Sequence, residues 1–204
     1  MIRFAVFLLA LAPAYAQTIF FSKSFPGSTP AYFSIEIEQS GKAVYREAPD
    51  DDRPLRFELP PADAKAIFAL AEKLQFFARP LESNLKVANM GMKTLRYENA
   101  SVRSEAKFNY SEDPDARALS DWFEKISETE QHLSALERAA RFDRLGVNKA
   151  LLQLEASWDR RRIVAPEQLL PILDKIAAQQ NYLHIAQARA ASLAERIRAG
   201  KQPN

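Results

Sequence analysis

Three consecutive arginines beside a tryptophan are the side chains best suited to binding chemistry in this chain. Arg160, Arg161 and Arg162 follow Trp158 within the stretch WDRRRIVAPEQLLPIL. A guanidinium group presents its donors in a fixed fork, which suits a carboxylate or a phosphate. The sequence therefore predicts a binding site at Arg160–Arg162, exposed at one end of a helical bundle.

The same arginines also have a structural interpretation. They fall where one predicted helix ends and before the next begins, and a cation at a helix C-terminus contributes roughly 0.3–1 kcal/mol. Trp158 continues the apolar stripe of Leu151 and Leu154, so we expect it to be buried. No glycine-rich stretch that would cradle a phosphate lies nearby. The sequence leaves both interpretations open, a ligand site or a corner between helices.

The histidines and serines do not form a recognisable catalytic motif. His132 and His184 lie far apart in helical segments, and the only carboxylate four residues from either on one face is Glu128. Zinc sites need three or four ligands at close spacings, and the nucleophile elbow of many serine hydrolases reads GxSxG. Neither pattern occurs, and the chain has no glycine motif for nucleotide phosphates. We expect no catalytic residue, no metal site and no cofactor.

Asp50, Asp51 and Asp52 form an acidic run between Pro49 and Pro54. Clustered carboxylates in a loop can bind calcium. The run lacks the alternating oxygen ligands and the glycine of an EF-hand loop. We therefore expect a solvated turn between two strands.

Strands dominate the first half of the chain. In residues 33–38 apolar and polar side chains alternate strictly, which is typical of a strand with one face in water. A turn at Ser40–Gly41 and a second hairpin turning near Asn99 continue this pattern. We predict an antiparallel sheet of about five strands, with a helix over 61–75 packed on its apolar face.

The hydrophobic period becomes helical at Asp113 and stays helical to the end. Asp113 is a good N-cap, and Pro114 suits the first helical position. Four helical segments follow; Pro166 opens the third, and Asn181 is expected to cap the fourth. The last two form an antiparallel pair that is HEAT-like at most, because no fixed repeat is found.

The order of these elements predicts the fold class. Helices that follow the strands, rather than alternating with them, favour α+β over a doubly wound fold. We predict an α+β domain at 17–125, an all-helical extension at 126–200 and a tail at 201–204. Helical hairpins of this kind commonly present surfaces to other proteins.

Residues 1–16 have the features of a secretory signal peptide. Arg3 precedes a short apolar run, and Ala14-Tyr15-Ala16 fits a small-x-small cleavage site. The apolar run is shorter than the roughly 20 residues of a spanning helix. The net charge is +2, or +1 without Arg3, so no strong field favours nucleic acid. We expect a soluble periplasmic or secreted protein with no membrane insertion after cleavage.

Two stretches of the C-terminal part carry a family resemblance. FDRLGVNKALLQLEASWDRRRIVAPEQLLPIL and HIAQARAASLAERI resemble uncharacterised exported proteins of acidobacterial type, over roughly residues 120–199. The resemblance implies export and brings no activity with it.

Three functions remain open from the sequence. The first, which we favour, is a non-enzymatic exported module for protein interaction or envelope structure, with an unknown protein partner. The second is a hydrolase that uses Asp/Glu chemistry without a linear motif. The third is a small-ligand carrier or inhibitor on the sheet face, which needs a closed apolar cavity lined by Phe33, Ile35, Phe57 and Phe108.

Overall fold

The structure is a computed structural model that describes residues 17–200. The predicted signal peptide (1–16) and tail (201–204) lie outside the described residues. The strands are β1 (Thr18–Ser24), β2 (Tyr32–Glu38), β3 (Lys42–Arg46), β4 (Leu55–Glu58), β5 (Met92–Glu98) and β6 (Arg103–Phe108). The helices are α1 (Pro61–Lys73), α2 (Pro114–Phe142), α3 (Val147–Asp159), α4 (Leu170–Ala178) and α5 (His184–Arg198).

The strands form one antiparallel sheet in the order β4-β3-β2-β1-β5-β6. The predicted α+β class is confirmed, with six strands where about five were expected. β1 lies in the middle of the sheet and pairs with both β2 and β5. Its side chains Ile19 and Phe21 enter the core, whereas Phe20 lies on the other face beneath Arg96, whose guanidinium carbon is 4.3 Å from the ring centroid.

The turn between β2 and β3 depends on Gly41. Its φ is +95°, a region that disfavours L side chains. A Cβ at this position would lie 2.7 Å from the carbonyl oxygen of Leu59. The two backbones approach this closely because they are hydrogen-bonded: the Leu59 amide donates to the Gly41 carbonyl at 2.9 Å.

A first hydrophobic core lies between the sheet and the helices α1 and α2. The inward residues of the strands pack against Ile67 of α1 and Phe123 of α2. The rings of Phe21 and Phe123 stack with centroids 4.7 Å apart. The predicted position of the first helix on the apolar face of the sheet is therefore confirmed.

The long helix α2 begins where the sequence predicts. The Asp113 carboxylate caps it by accepting from the amides of Asp115 at 2.8 Å and Ala116 at 3.3 Å. Arg79 also binds this carboxylate, and with the two amides it holds the pKa of Asp113 below its usual value. α2 has 29 residues and runs without a break across position 125/126, where the sequence places the domain boundary.

A second hydrophobic core lies among the C-terminal half of α2 and the helices α3, α4 and α5. Trp158 is buried there, with 2% of its surface exposed, as predicted.

The expectation that Asn181 caps the last helix is wrong, because α5 begins at His184 and has no side-chain cap. The neighbouring Tyr182 is drawn into the second core, where its hydroxyl donates to the Ala140 carbonyl at 3.1 Å, so residues before 184 form a turn.

Between residues 17 and 200, no helix has the length and apolar character needed to cross a bilayer.

Candidate functional site

Two of the three arginines of the predicted binding site, Arg160 and Arg162, flank the Glu128 carboxylate, and Arg161 lies apart from them. The Arg160 side chain is 67% exposed and lies at the C-terminal end of α3. Arg161 has a φ of +57°, which turns the chain, and it lines a separate depression with Asp63 and Trp122. Arg162 is half-buried against α2. Only Arg160 therefore keeps an exposed guanidinium beside the groove described below.

Arg162 is held by two carboxylates of α2. Its Nε donates to Oε2 of Glu128 at 2.9 Å, and its Nη1 donates to Oδ1 of Asp121 at 2.5 Å. Burial alone would raise the pKa values of both carboxyls. At Glu128, hydrogen bonds from Ser157 and Arg162 outweigh this effect of burial and lower the pKa. At Asp121, hydrogen bonds from Lys125 and Arg162 do the same. This part of the arginine run fastens the α3–α4 connection to α2.

Glu128 also belongs to a polar cluster with Ser157 and His132. The Ser157 hydroxyl lies 2.5 Å from Oε1 of Glu128 and 2.9 Å from Nε2 of His132. Burial is the main cause that lowers the pKa of His132, and the nearby Arg160 adds to it while Glu128 opposes it. His132 is therefore neutral at neutral pH.

The proton count of this cluster argues against serine catalysis. A serine hydroxyl has one proton to donate, and the ionised Glu128 at 2.5 Å accepts it. The His132 Nε2 must then carry a proton and donate to the Ser157 oxygen, so its lone pair does not face the hydroxyl. A general base needs that lone pair. Ser157 is moreover buried, with 2% of its surface exposed.

An open groove runs alongside this cluster. Its first section, about 250 Å³, lies between the β1–β2 connection and α2. Its second section, about 650 Å³, lies between α2 and the end of α3. Thr29, Glu128 and Gln131 line both sections, so the two meet to form what we call the α2–α3 groove.

The side chains of the α2–α3 groove are mainly small or polar. At the first end, Lys23 of β1 pairs with Glu124 of α2 at 2.7 Å. At the second end stands Arg160, whose Nη2 lies 3.3 Å from the Ser157 hydroxyl and 3.9 Å from Glu128. The second section is further lined by residues of α2 and α3, namely Ala135, Gln153 and Ala156. The groove thus offers amide and hydroxyl groups between two charged ends.

The acidic turn and His184, the other candidates from the sequence, show no arrangement for catalysis or metal binding among the described residues. In the acidic turn, Asp51 accepts from the backbone amide of Arg53 at 2.9 Å, and Asp52 lies exposed beside the same arginine. His184 is exposed at the start of α5. Among residues 17–200, no group of three or more His, Asp or Glu side chains is arranged to hold a metal ion.

The cavity required by a ligand carrier is filled with side chains. Phe33, Ile35 and Phe108 are buried in the first core, and the half-buried Phe57 packs against it. Tyr45 closes the same region, with its ring centroid 6.3 Å from that of Phe33. These side chains pack against one another and fill the space that a ligand would occupy, which counts against a carrier site among them.

Glu130 is a chemically unusual residue that the sequence does not reveal. It lies on α2 with 1% of its surface exposed, and neither carboxyl oxygen has a hydrogen-bond partner among the described residues. Burial raises its pKa to about 7; the side-chain amide of Gln168, close by but outside hydrogen-bonding geometry, opposes the rise, and the charge of Glu137 adds to it. Because the carboxyl is enclosed, it has no route to a substrate.

Compared with known proteins, the chain matches no protein-family model and no curated protein. Its function is therefore inferred from the α2–α3 groove and its charges.

Proposed function

We propose that this protein is an exported, non-enzymatic interaction module that holds an extended segment of a protein partner in the α2–α3 groove. The observation that carries the proposal is the groove itself, which is open along its length and joins the β1–β2 connection, α2 and α3. Export rests on the signal-peptide pattern at residues 1–16.

The lining suits the backbone of a peptide. Thr29 and Gln153 are exposed, and their side chains make no hydrogen bond to other described residues. Such groups can donate to and accept from the amides of an extended segment. Ala135 and Ala156 have short side chains, so a backbone can approach the helices closely. The groove supplies hydrogen bonds along a path rather than an enclosed pocket for a small molecule.

Arg160 adds a charge preference to the groove. The Arg162 guanidinium already pairs with the negative charge of Glu128 at 2.9 Å. The exposed Arg160 guanidinium, 3.9 Å from the same carboxylate, is therefore only loosely held. A guanidinium fork binds a carboxylate through two parallel hydrogen bonds. We expect a partner segment with an acidic side chain, or a C-terminal carboxylate, at this end of the groove.

A hydrolase with paired carboxylates is less well supported by the same geometry. A general acid near neutral pH needs a raised pKa in an accessible site. The pKa of Glu128 at the groove is lowered, as is the pKa of Asp121, which binds the same Arg162. The raised pKa values belong to the enclosed Glu130 and, through burial and the charge of Glu167, to Asp63, which lies outside the groove.

Site-specific photo-cross-linking tests the proposal. A photoreactive amino acid replaces Gln153 in the groove, and in a control chain it replaces the exposed Gln39 in the β2–β3 turn. Each chain, starting at Gln17, is added to the envelope fraction of the native organism and irradiated. We expect one reproducible cross-linked protein from position 153 and none from position 39.

Matched arginine variants identify the charged contact. Arg160→Ser should abolish the cross-link from position 153, whereas Arg103→Ser, at an exposed arginine on β6, should preserve it. Arg162 is unsuitable for this test because its loss would leave Asp121 and Glu128 without their shared partner. The same bands from both cross-linker positions, or a cross-link indifferent to Arg160→Ser, would refute the groove as the binding site.

A further inference from the structure

The far end of the helical part exposes several large apolar side chains together. Phe142, at the last position of α2, is 77% exposed, and Leu145, in the α2–α3 turn, is 76% exposed. Leu183 and Ile185, in the α4–α5 turn and the start of α5, are also exposed. The hydrogen bond from Tyr182 to the Ala140 carbonyl at 3.1 Å ties this turn to the last turn of α2. We call this end of the molecule the helical tip.

Cations surround the apolar residues of the helical tip. They are Arg138, Arg141, Arg144, Lys149 and Lys175, and all are exposed. The Arg141 guanidinium carbon lies 5.8 Å from the centroid of the Phe142 ring. The carboxylates next to these cations in the sequence are Glu137, Asp143 and Asp174. Asp143 accepts from the Gly146 amide at 3.0 Å, and Asp174 binds the Arg198 guanidinium at 2.7 Å. The tip therefore presents an apolar centre within a positive rim.

A depression beside the tip adds a place for an anionic group. It measures about 270 Å³ and lies between the end of α2 and α4. Its lining includes the cations Arg141 and Lys175 and the single carboxylate Glu137. A phosphate held there would bring its attached acyl chains next to Phe142.

The combination of charge and shape selects one occupant. A second copy docking tip to tip would bring cations against cations, which is unfavourable. An acidic protein would need a pocket deep enough for a projecting Phe142. An anionic bilayer meets both requirements without such a pocket, because its headgroups bind Arg and Lys while apolar side chains enter the interface. We propose that the helical tip docks on an anionic lipid surface.

This contact is peripheral and independent of the groove. The chain stays on one side of the bilayer, with Phe142 and Leu145 reaching into the headgroup layer. Lipid docking would hold the protein at a membrane surface while the α2–α3 groove, farther along α2, remains open to a partner.

Flotation with vesicles tests the docking. The chain from Gln17 onward, which contains every described residue, is mixed with vesicles of phosphatidylcholine alone or of phosphatidylcholine with phosphatidylglycerol. We expect binding only to the phosphatidylglycerol vesicles, and weaker binding as salt screens the cations. No binding to these vesicles at low salt would overturn the proposal.

Variants separate the tip from the rest of the surface. Replacing Phe142 and Leu145 together by Ser should lower the partition coefficient about tenfold or more. Arg144→Ser should lower it about fivefold, since each cation near an anionic surface contributes about that factor. The control is Leu85→Ser, at an exposed leucine in the loop after α1, which should bind like wild type. Equal binding by the Phe142/Leu145 double variant and the control would refute docking through the tip.

The absence of cysteine provides a direct readout of insertion. A single cysteine placed at Leu145 can be labelled with an environment-sensitive dye, because the chain has no other thiol. We expect a blue shift of its emission on adding phosphatidylglycerol vesicles and no shift for a dye at position 85. If wild type instead sediments as a dimer that the double variant loses, and the dye does not shift with vesicles, the tip is a contact between copies and the lipid proposal is wrong.

Discussion

Replacing Glu130 by Gln should change how the stability of this protein depends on pH. Glu130 is 1% exposed and its carboxyl oxygens have no hydrogen-bond partner among the described residues, so the charged form is strongly disfavoured in the fold. Burial accordingly raises its pKa from 4.5 to about 7. Gln has nearly the same shape and never ionises.

The sign and size of the effect follow from linkage. Below about pH 4.5 the carboxyl is protonated in both the folded and the unfolded chain, and its ionisation does not affect stability. Between about pH 4.5 and about pH 7 the folded chain keeps the proton that the unfolded chain releases, so stability falls as pH rises. At about 1.4 kcal/mol per pKa unit, the total loss above about pH 7 is about 3 kcal/mol.

The assay is urea unfolding followed by circular dichroism at about pH 5 and about pH 8. We expect the Glu130→Gln variant to resemble wild type near pH 5 and to be more stable by up to about 3 kcal/mol near pH 8. The difference between variant and wild type is the useful quantity, because the lowered pKa of His132 produces a trend of opposite sign in part of the same range. Glu72→Gln, at an exposed carboxylate of α1, is the matched control and should leave the pH profile nearly unchanged.

One result would refute this reasoning. If Glu130→Gln and wild type lose stability in parallel between about pH 5 and about pH 8, the charge of Glu130 is compensated in solution. Its carboxyl would then be hydrated or paired, contrary to its enclosure in the structure.

The packing and backbone geometry lead to further expectations. Trp158→Ala should lower the free energy of unfolding by about 3–5 kcal/mol, because the indole is fully enclosed in the second core; a change near zero in a urea melt would show that the ring is exposed. Gly41→Ala should cost at least about 1–2 kcal/mol through its positive φ, with more from the contact with the Leu59 carbonyl, and an unchanged melting temperature would contradict that geometry. Arg162→Ala should cost about 1–2 kcal/mol, less than for a fully buried pair because its partners are partly exposed, and the NMR-detected pKa of Glu128 should rise.

Much of the fold could be predicted because its signals are local. Alternation in residues 33–38 identified β2, and the Asp113–Pro114 pair identified the first residue of α2. β1 was harder to place because Ile19, Phe20 and Phe21 are consecutive apolar residues, which hides the period of two. Phe20 is tolerated on the outer face since Arg96 covers its ring, and that cross-strand contact has no signature in the sequence.

The site was less predictable because its parts come from distant positions. The Lys23–Glu124 pair at one end of the groove joins residues 101 positions apart. The arginine run was visible as a sequence feature, but the sequence does not show that Arg160 and Arg162 both reach Glu128 of α2 while Arg161, with its positive φ, lines a separate depression. Periodicity places Glu130 on a helix, yet whether it finds a partner depends on the helices that pack over it.

The continuity of α2 has a consequence for how the molecule opens. Ile126 belongs to the first core and Leu136 to the second, and both lie on the same uninterrupted helix. Val164 and Ala165 lead the chain back into the first core after Ile163 has entered the second. Separating the two cores would break the backbone hydrogen bonds in the middle of α2 and expose apolar side chains on both halves of the helix. The amides around position 130 should therefore exchange with solvent deuterium only through global unfolding, whereas those of the α2–α3 turn should exchange through local fraying.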